Sequence, residues 1–304
     1  MARKLIDYAI VTLKGMAMGA ADVVPGVSGG TIAFISGIYE ELIESINNIK
    51  PSLLPMWKKK GFSSFWESLN GNFLLALFLG IFISVLSLAK FLSWLLENEP
   101  ILLWSFFFGL VMASIFLVGK EIKKWNIATI LILISGTAIA YFITTLPPNE
   151  NVASLPYLFL SGALAVCAMI LPGISGAFIL VLLGSYKTIL DAVHERNFLM
   201  VGTVAVGAIF GLLSFARLLK WMFKNYRNAT LTLLTGFILG SLNKIWPWKK
   251  VLETKVFDDK IIPIKELNVS PFNFEGDPQL FAAIGLAIAG FSLIFILERL
   301  AAKK

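Results

Sequence analysis

The 304-residue chain is 57% hydrophobic and only 15% charged, with a formal net charge of +7 and a mean hydropathy of +0.81. Soluble domains hold roughly 25% charged residues, so the composition excludes an ordinary soluble protein and makes lipid the main solvent. A single cysteine, Cys167, excludes an intramolecular disulfide, and a single histidine, His194, argues against a histidine-based metal site. The basic residues lie beside apolar runs and form no single stripe, which argues against a nucleic-acid partner.

Taken in chain order, the sequence predicts an all-α polytopic membrane protein. Residues 5–46 read as a helical hairpin, and runs 72–96, 100–119 and 125–146 each come close to or exceed the about 20 apolar residues that a bilayer helix needs. Residues 155–190 read as a second hairpin, followed by spans 198–223, 229–247 and 278–297. Arg3, Lys4, Asp7 and Lys14 interrupt the first apolar stretch, which therefore reads as mature protein and not as a signal peptide. The tryptophans fall in loops or near span ends, where an interfacial belt accounts for them.

Self-similarity is the most informative feature. PGVSGGTIAFISGIYE at 25–40 and PGISGAFILVLLGSYK at 172–187 align without a gap at an offset of 172 − 25 = 147. Pro25/Pro172, Gly26/Gly173, Ser28/Ser175, Gly29/Gly176, Ile32/Ile179, Gly37/Gly184 and Tyr39/Tyr186 are identical. A second block pairs 80–114 with 207–241 at an offset of 207 − 80 = 127, matching Gly80/Gly207, Trp94/Trp221 and Gly109/Gly236 and setting Lys90 opposite Arg217. The expected organisation is one integral membrane domain made of two repeats, 1–146 and 155–298, a pattern common among transporters.

Each PGxSG lies between two apolar legs, and proline and glycine there break the helix. Such a unit either crosses the membrane once or turns back. Lys50, Lys58, Lys59 and Lys60, then Lys120, Lys123 and Lys124, then Arg217, Lys220, Lys224 and Arg227, then Arg299, Lys303 and Lys304 form the basic segments. Glu97, Glu99 and Glu150 mark the acidic loops. Two hairpins place all the basic segments and both termini in the cytoplasm, as the positive-inside rule asks, whereas single crossings do not. Each repeat then has one hairpin and three spans, so the copies are predicted to be inverted. Loop 244–277, placed outside, has six lysines balanced by six carboxylates and carries little weight in that argument.

A broken helix at membrane depth frees amide groups that must face protein or a water-filled cavity. The leg after each break begins with its positive dipole end beside serine and glycine, which suits a phosphate. The expected site is therefore Pro25, Gly26, Ser28, Gly29, Gly30, Pro172, Gly173, Ser175 and Gly176, with Lys90 and Arg217 guiding the anion at either mouth. The plainer alternative is a tight turn packed by small residues. Asp22, aligned with Met169, either couples transport to a proton or sodium ion or caps the turn. Glu40, Glu41 and Glu44 read as a solvated face, and Lys14 either snorkels or reaches the site. No cofactor or metal is expected, and no residue pattern fixes an oligomeric state.

At MGAADVVPGVSGGTIAFISGIYEEL, residues 18–42, and again at LPGISGAF, residues 171–178, the chain resembles the PopT-type undecaprenyl-phosphate translocases of bacteria. That resemblance implies recycling of the C55 lipid carrier phosphate from the outer to the inner leaflet of the cytoplasmic membrane, with undecaprenyl phosphate and membrane lipids as partners. It also implies a transporter and not an enzyme. The rival is a polyprenyl-pyrophosphate phosphatase, whose motif resembles PGxSRSGxT; PGVSGGT and PGISGAF hold no arginine to support a departing phosphate. A small-ion carrier or channel is the other alternative.

Overall fold

The computed structural model describes residues 4–24, 27–50, 52–147, 154–257 and 260–302. Helices occupy the segments that hydropathy marks: α1 (Leu5–Val23), α2 (Gly29–Ile35), α3 (Tyr39–Asn47), α4 (Leu53–Ser68), α5 (Gly71–Asn98), α6 (Pro100–Glu121) and α7 (Ile127–Thr145). After these come α8 (Leu155–Ile170), α9 (Gly176–Leu182), α10 (Tyr186–His194), α11 (Phe198–Ser241), a β-hairpin of β1 (Lys249–Phe257) and β2 (Lys260–Asn268), and α12 (Leu280–Ala302). Helices α5, α6, α7 and α11 are each long and apolar enough to cross a bilayer, and the chain is a multi-pass membrane protein.

Three features depart from the predicted elements. The return legs 30–46 and 174–190 are not single helices, because Gly37 (φ +72°) and Gly184 (φ +68°) adopt left-handed backbone and split each leg into a seven-residue and a nine-residue helix. Helices α9 and α10 diverge by 102°. Spans 198–223 and 229–247 form one helical run with a kink at Tyr226 (φ −136°, ψ 43°), and that run ends at Ser241. Loops 47–71 and 244–277 hold structure of their own, α4 in the first and the β-hairpin in the second. Of the charges used for topology, Glu150, Lys303 and Lys304 lie outside the described residues, as does Arg3.

The local structure repeats with the sequence. Helices α2 and α9, and α3 and α10, start and stop 147 positions apart (176 − 29 and 186 − 39). Packing repeats as well. In lipid, helices gain little from burying apolar surface and associate through close contact of small residues. Gly15 of α1 rests on the Leu77 carbonyl and Gly80 of α5 on the Thr12 carbonyl; Gly162 of α8 rests on the Val204 carbonyl and Gly207 of α11 on the Phe159 carbonyl. These four pairs correspond at the two offsets read from the sequence. Gly109 of α6 touches the Ala287 carbonyl of α12, while Gly236 of α11 touches the Leu133 carbonyl of α7. The third helix of each half therefore packs on the other half, and the two halves interlock around a core that includes Tyr39, Phe73, Leu77, Phe107, Leu231 and Ile238. Outward-facing Phe78, Phe82 and Leu86 on α5 and Ile134 and Phe142 on α7 stay exposed, as helix faces solvated by lipid should.

Gly80→Val tests this packing. Its side chain would overlap the Thr12 carbonyl and the Met16 backbone nitrogen, neither of which can rotate away, and overpacking costs about 1–3 kcal/mol even where side chains can yield. The variant is expected to give a lower melting temperature and less monodisperse protein in detergent, whereas Gly119→Ala, at a position with open space, is expected to match the parent.

Candidate functional site

The first break is closed by its own side chains. Helix α1 ends at Val23, and one turn earlier than the reversal the Asp22 carboxylate turns toward α2, where Oδ1 accepts from the Gly29 N–H at 2.7 Å. Ser28 is the N-cap of α2 and its Oγ accepts from the Gly30 N–H at 3.1 Å. Aspartate and serine are apt here because their short acceptors reach the unpaired amides of a first turn. At the second break Ser175 caps α9, accepting from the Phe178 N–H at 3.5 Å. Gly173 has φ +89°, a left-handed conformation that glycine adopts without strain. Met169 stands where the first copy has Asp22, so α9 has no carboxylate on its first turn.

The two breaks meet face to face. The single Ser28 hydroxyl proton is shared across the contact between the carbonyls of Met169 (3.1 Å) and Leu171 (3.3 Å). In the opposite direction the Gly173 N–H donates to Thr31 Oγ1 at 2.8 Å. Ser28 and Thr31 are each 1% exposed. Gly30 permits the approach: a Cβ there would lie 2.5 Å from the Ile170 oxygen and 2.8 Å from the Met169 oxygen. The result is a buried polar seam through the middle of the helix assembly, with every hydroxyl engaged.

Several expected site residues fall on this seam and others do not. Ser28, Gly29, Gly30, Pro172, Gly173, Ser175 and Gly176 line or flank it, whereas Pro25 and Gly26 lie outside the described residues. Thr31 belongs to the seam and was not singled out by the motif, although it occupies the last position of PGVSGGT. Lys90 on α5 and Arg217 on α11 are exposed and form no described hydrogen bond or ion pair with either break. Lys14 donates to the Ser36 carbonyl, placing its cation at the C-terminal end of α2, where the helix dipole favours it. Glu40 and Glu44 are partly exposed but paired, Glu40 with Arg227 at 2.6 Å and Glu44 with Lys220 at 3.2 Å, and Arg227 also reaches Glu121 at 3.4 Å.

A second charged group sits at the other end of the back half of α11. Lys244, three residues beyond Ser241, places its ammonium 5.2 Å from the centre of the Phe178 ring, just past the second break. Ser241 itself packs against Gly173. Lys249, the first residue of β1, lies 4.6 Å above the Trp104 ring and donates to the Lys244 carbonyl at 2.8 Å. Both ammonium groups converge on one oxygen, Glu266 Oε2 of β2, at 3.3 and 3.4 Å. Burial pulls the Lys249 pKa down to about 8, and the Glu266 charge opposes that shift. Between α7 and the Tyr226 kink runs an apolar groove of about 420 Å³ lined by Leu131, Ile132, Trp221, Met222, Tyr226 and Leu233.

The sequence profile of the family described as VCA0040-like, undecaprenyl phosphate translocase-like, matches residues 18–260, a stretch that holds both breaks and the Lys244–Lys249 pair. The chain belongs to this family. It is 47% identical over 308 aligned positions, covering 100% of both chains, to a protein of Vibrio cholerae serotype O1 named polyprenyl-phosphate transporter. A Staphylococcus aureus protein of the same name is 32% identical over 254 positions, 77% of this chain and 85% of that one. No solved structure matches.

Proposed function

We propose that the protein carries undecaprenyl phosphate from the outer to the inner leaflet of the bacterial cytoplasmic membrane, with the phosphate head passing between the two PGxSG breaks. The observation that carries the substrate is the full-length match to the Vibrio cholerae polyprenyl-phosphate transporter. The seam supports the route. A polyprenyl phosphate needs help only for its head, since the tail dissolves in lipid, and a polar path through the protein lowers that barrier. Opening the seam releases the Ser28 hydroxyl from two carbonyls and the Gly173 N–H from Thr31, which supplies two donors for a phosphate at mid-depth. Seven-residue helices rise only about 10 Å, so α2 and α9 fit re-entrant legs that stop inside a core of about 30 Å.

In this reading the repeats are inverted, and the ion pairs of Arg227 and Lys220 form the cytoplasmic closure. The Lys244–Lys249–Glu266 group lies on the outer side. Uphill movement requires a coupling ion, and Asp22, the carboxylate at the break, is its carrier. The apolar groove beside Tyr226 offers a bed for isoprene units. The protein acts without covalent chemistry on the lipid.

The test is leaflet exchange of undecaprenyl phosphate in liposomes holding the purified protein. Exchange is expected to exceed that of protein-free liposomes and to respond to an imposed proton or sodium gradient. No acceleration under any gradient would discard the lipid assignment. Release of inorganic phosphate from a C55 pyrophosphate would instead reveal a phosphatase.

A further inference from the structure

We infer that Lys244 and Lys249 form a receiving site for the phosphomonoester head of a prenyl lipid at the outer end of the second break, and that Glu266 is the internal anion this head displaces. The inference rests on the transport reading and adds a site to it. Three observations and one point of phosphate chemistry support it. Two ammonium groups share a single carboxylate oxygen, so among the described groups these three carry one excess positive charge. A phosphomonoester brings close to two negative charges and three acceptor oxygens, which balances both lysines once Glu266 swings aside. Lys249 is held in place by the Trp104 ring and the Lys244 carbonyl, with its side chain 9% exposed, so the site is pre-shaped and largely shielded from water. Lys244 stands over Phe178, and neighbouring Ser241 packs on Gly173, so an anion received here is already beside the seam.

The carboxylate has a counterpart at the other break. There Asp22 sits on the Gly29 N–H, and a negative charge occupies the position a phosphate would favour. At the second break no side chain of α8 or α9 supplies one, and the carboxylate beside Phe178 is Glu266 of β2, held by Lys244 and Lys249. An anion held by charge-assisted side-chain contacts on a partly exposed carboxylate is easier to exchange than one locked to a backbone amide at the core of the fold. This asymmetry makes the second break the entry.

Charge also sets the pH response. Lys249 faces Glu266 from β2 and Lys244 from the turn after α11, and its neighbour across α6 is the uncharged Trp104. Its ammonium form is present below about 8 and is lost as the pH rises through that value. A phosphomonoester loses its second proton near pH 6. Binding is therefore strongest between roughly 6 and 8 and weakens on the alkaline side.

The experiment measures binding of farnesyl phosphate, farnesol and inorganic phosphate to the detergent-solubilised protein by tryptophan fluorescence. Farnesyl phosphate is expected to bind best, with the pH profile above. Lys244→Gln and Lys249→Gln should each weaken it by about tenfold or more, the effect of losing one charge-assisted hydrogen bond. Glu266→Gln should tighten it several-fold, because the competing anion is gone. A cluster that merely tethers the β-hairpin predicts the reverse, since losing Glu266 would then loosen the site, and unchanged or weaker binding by Glu266→Gln overturns the inference. Equal binding by wild type and both lysine variants overturns it too. Inorganic phosphate binding as tightly as farnesyl phosphate, with the same dependence on variants, would assign the pair to the free ion and overturn the lipid assignment. Exchange in liposomes separates the two readings: a protein that exchanges undecaprenyl phosphate but ignores these substitutions loses this site and keeps its transport function.

Discussion

Gly30→Val is expected to reduce leaflet exchange of undecaprenyl phosphate to the rate of protein-free liposomes. The first carbon of the new side chain would fall within 2.5–2.8 Å of the Ile170 and Met169 oxygens. Those oxygens belong to the end of α8, and the Met169 carbonyl also receives the Ser28 hydroxyl. The chain has no rotamer by which to yield, so α2 must retreat from the second break as a unit. Retreat stretches the two Ser28 contacts and the Gly173–Thr31 bond together, leaving buried donors unpaired at about 1–3 kcal/mol each. The damage is local to the seam, because α1 still has its glycine contacts with α5. Gly202→Ala, on α11 where nothing lies within 4 Å, is the control and should exchange at the parental rate. A Gly30→Val protein that exchanges normally would show that the breaks need not touch for transport.

How far the sequence reveals this seam depends on what kind of constraint each residue obeys. PGxSG is legible because a helix interrupted inside a bilayer needs residues that break, cap and pack closely: Pro and Gly break it, Ser caps the next leg, and Gly and Ser allow close packing. Its duplication at one offset identifies both breaks and hints that they belong together. That they touch, with Ser28 donating to main-chain carbonyls 141 and 143 positions away, is tertiary information that no local pattern carries. Gly37 and Gly184 were visible as repeat markers, but their left-handed backbone is a property of the second bend and not of composition. Lys90 and Arg217 illustrate the limit of alignment: equal offset shows that two positions correspond, and leaves open which face of a helix they occupy.

Lys244, Lys249 and Glu266 are hidden in the sequence for a different reason. In loop 244–277 the charges cancel when summed, so topology arguments give the segment no weight. Its alternation in KKVLETKVF is short, and only the pairing of β1 with β2 sets Lys249 opposite Asn268 and Val251 opposite Glu266. Once the strands pair, two of the lysines and one carboxylate are gathered over Trp104 and Phe178. Net charge describes a loop as a whole, and a binding site depends on which few charges are brought together.

Asp22 separates two demands that a carboxylate at a helix break can serve, and two substitutions tell them apart. Asp22→Ala removes the acceptor for the Gly29 N–H. Gly29 is buried, so its amide is left without a partner, and a fall in stability of about 1–3 kcal/mol is expected, read as a lower melting temperature in detergent. Asp22→Asn keeps an oxygen on the same amide and should melt close to the parent. The two variants then differ in stability, yet both lack an ionisable group at this position. If Asp22 carries the coupling ion, both lose the acceleration of exchange by a proton or sodium gradient, and the asparagine protein retains only downhill exchange. Gradient response that survives in Asp22→Asn would assign the residue to capping alone and move the coupling group elsewhere. The same comparison bears on the entry argument: neutralising the anion at the first break removes the charge that distinguishes it from the second. Asp22→Asn should therefore bind farnesyl phosphate at least as well as the parent, even as it loses the gradient.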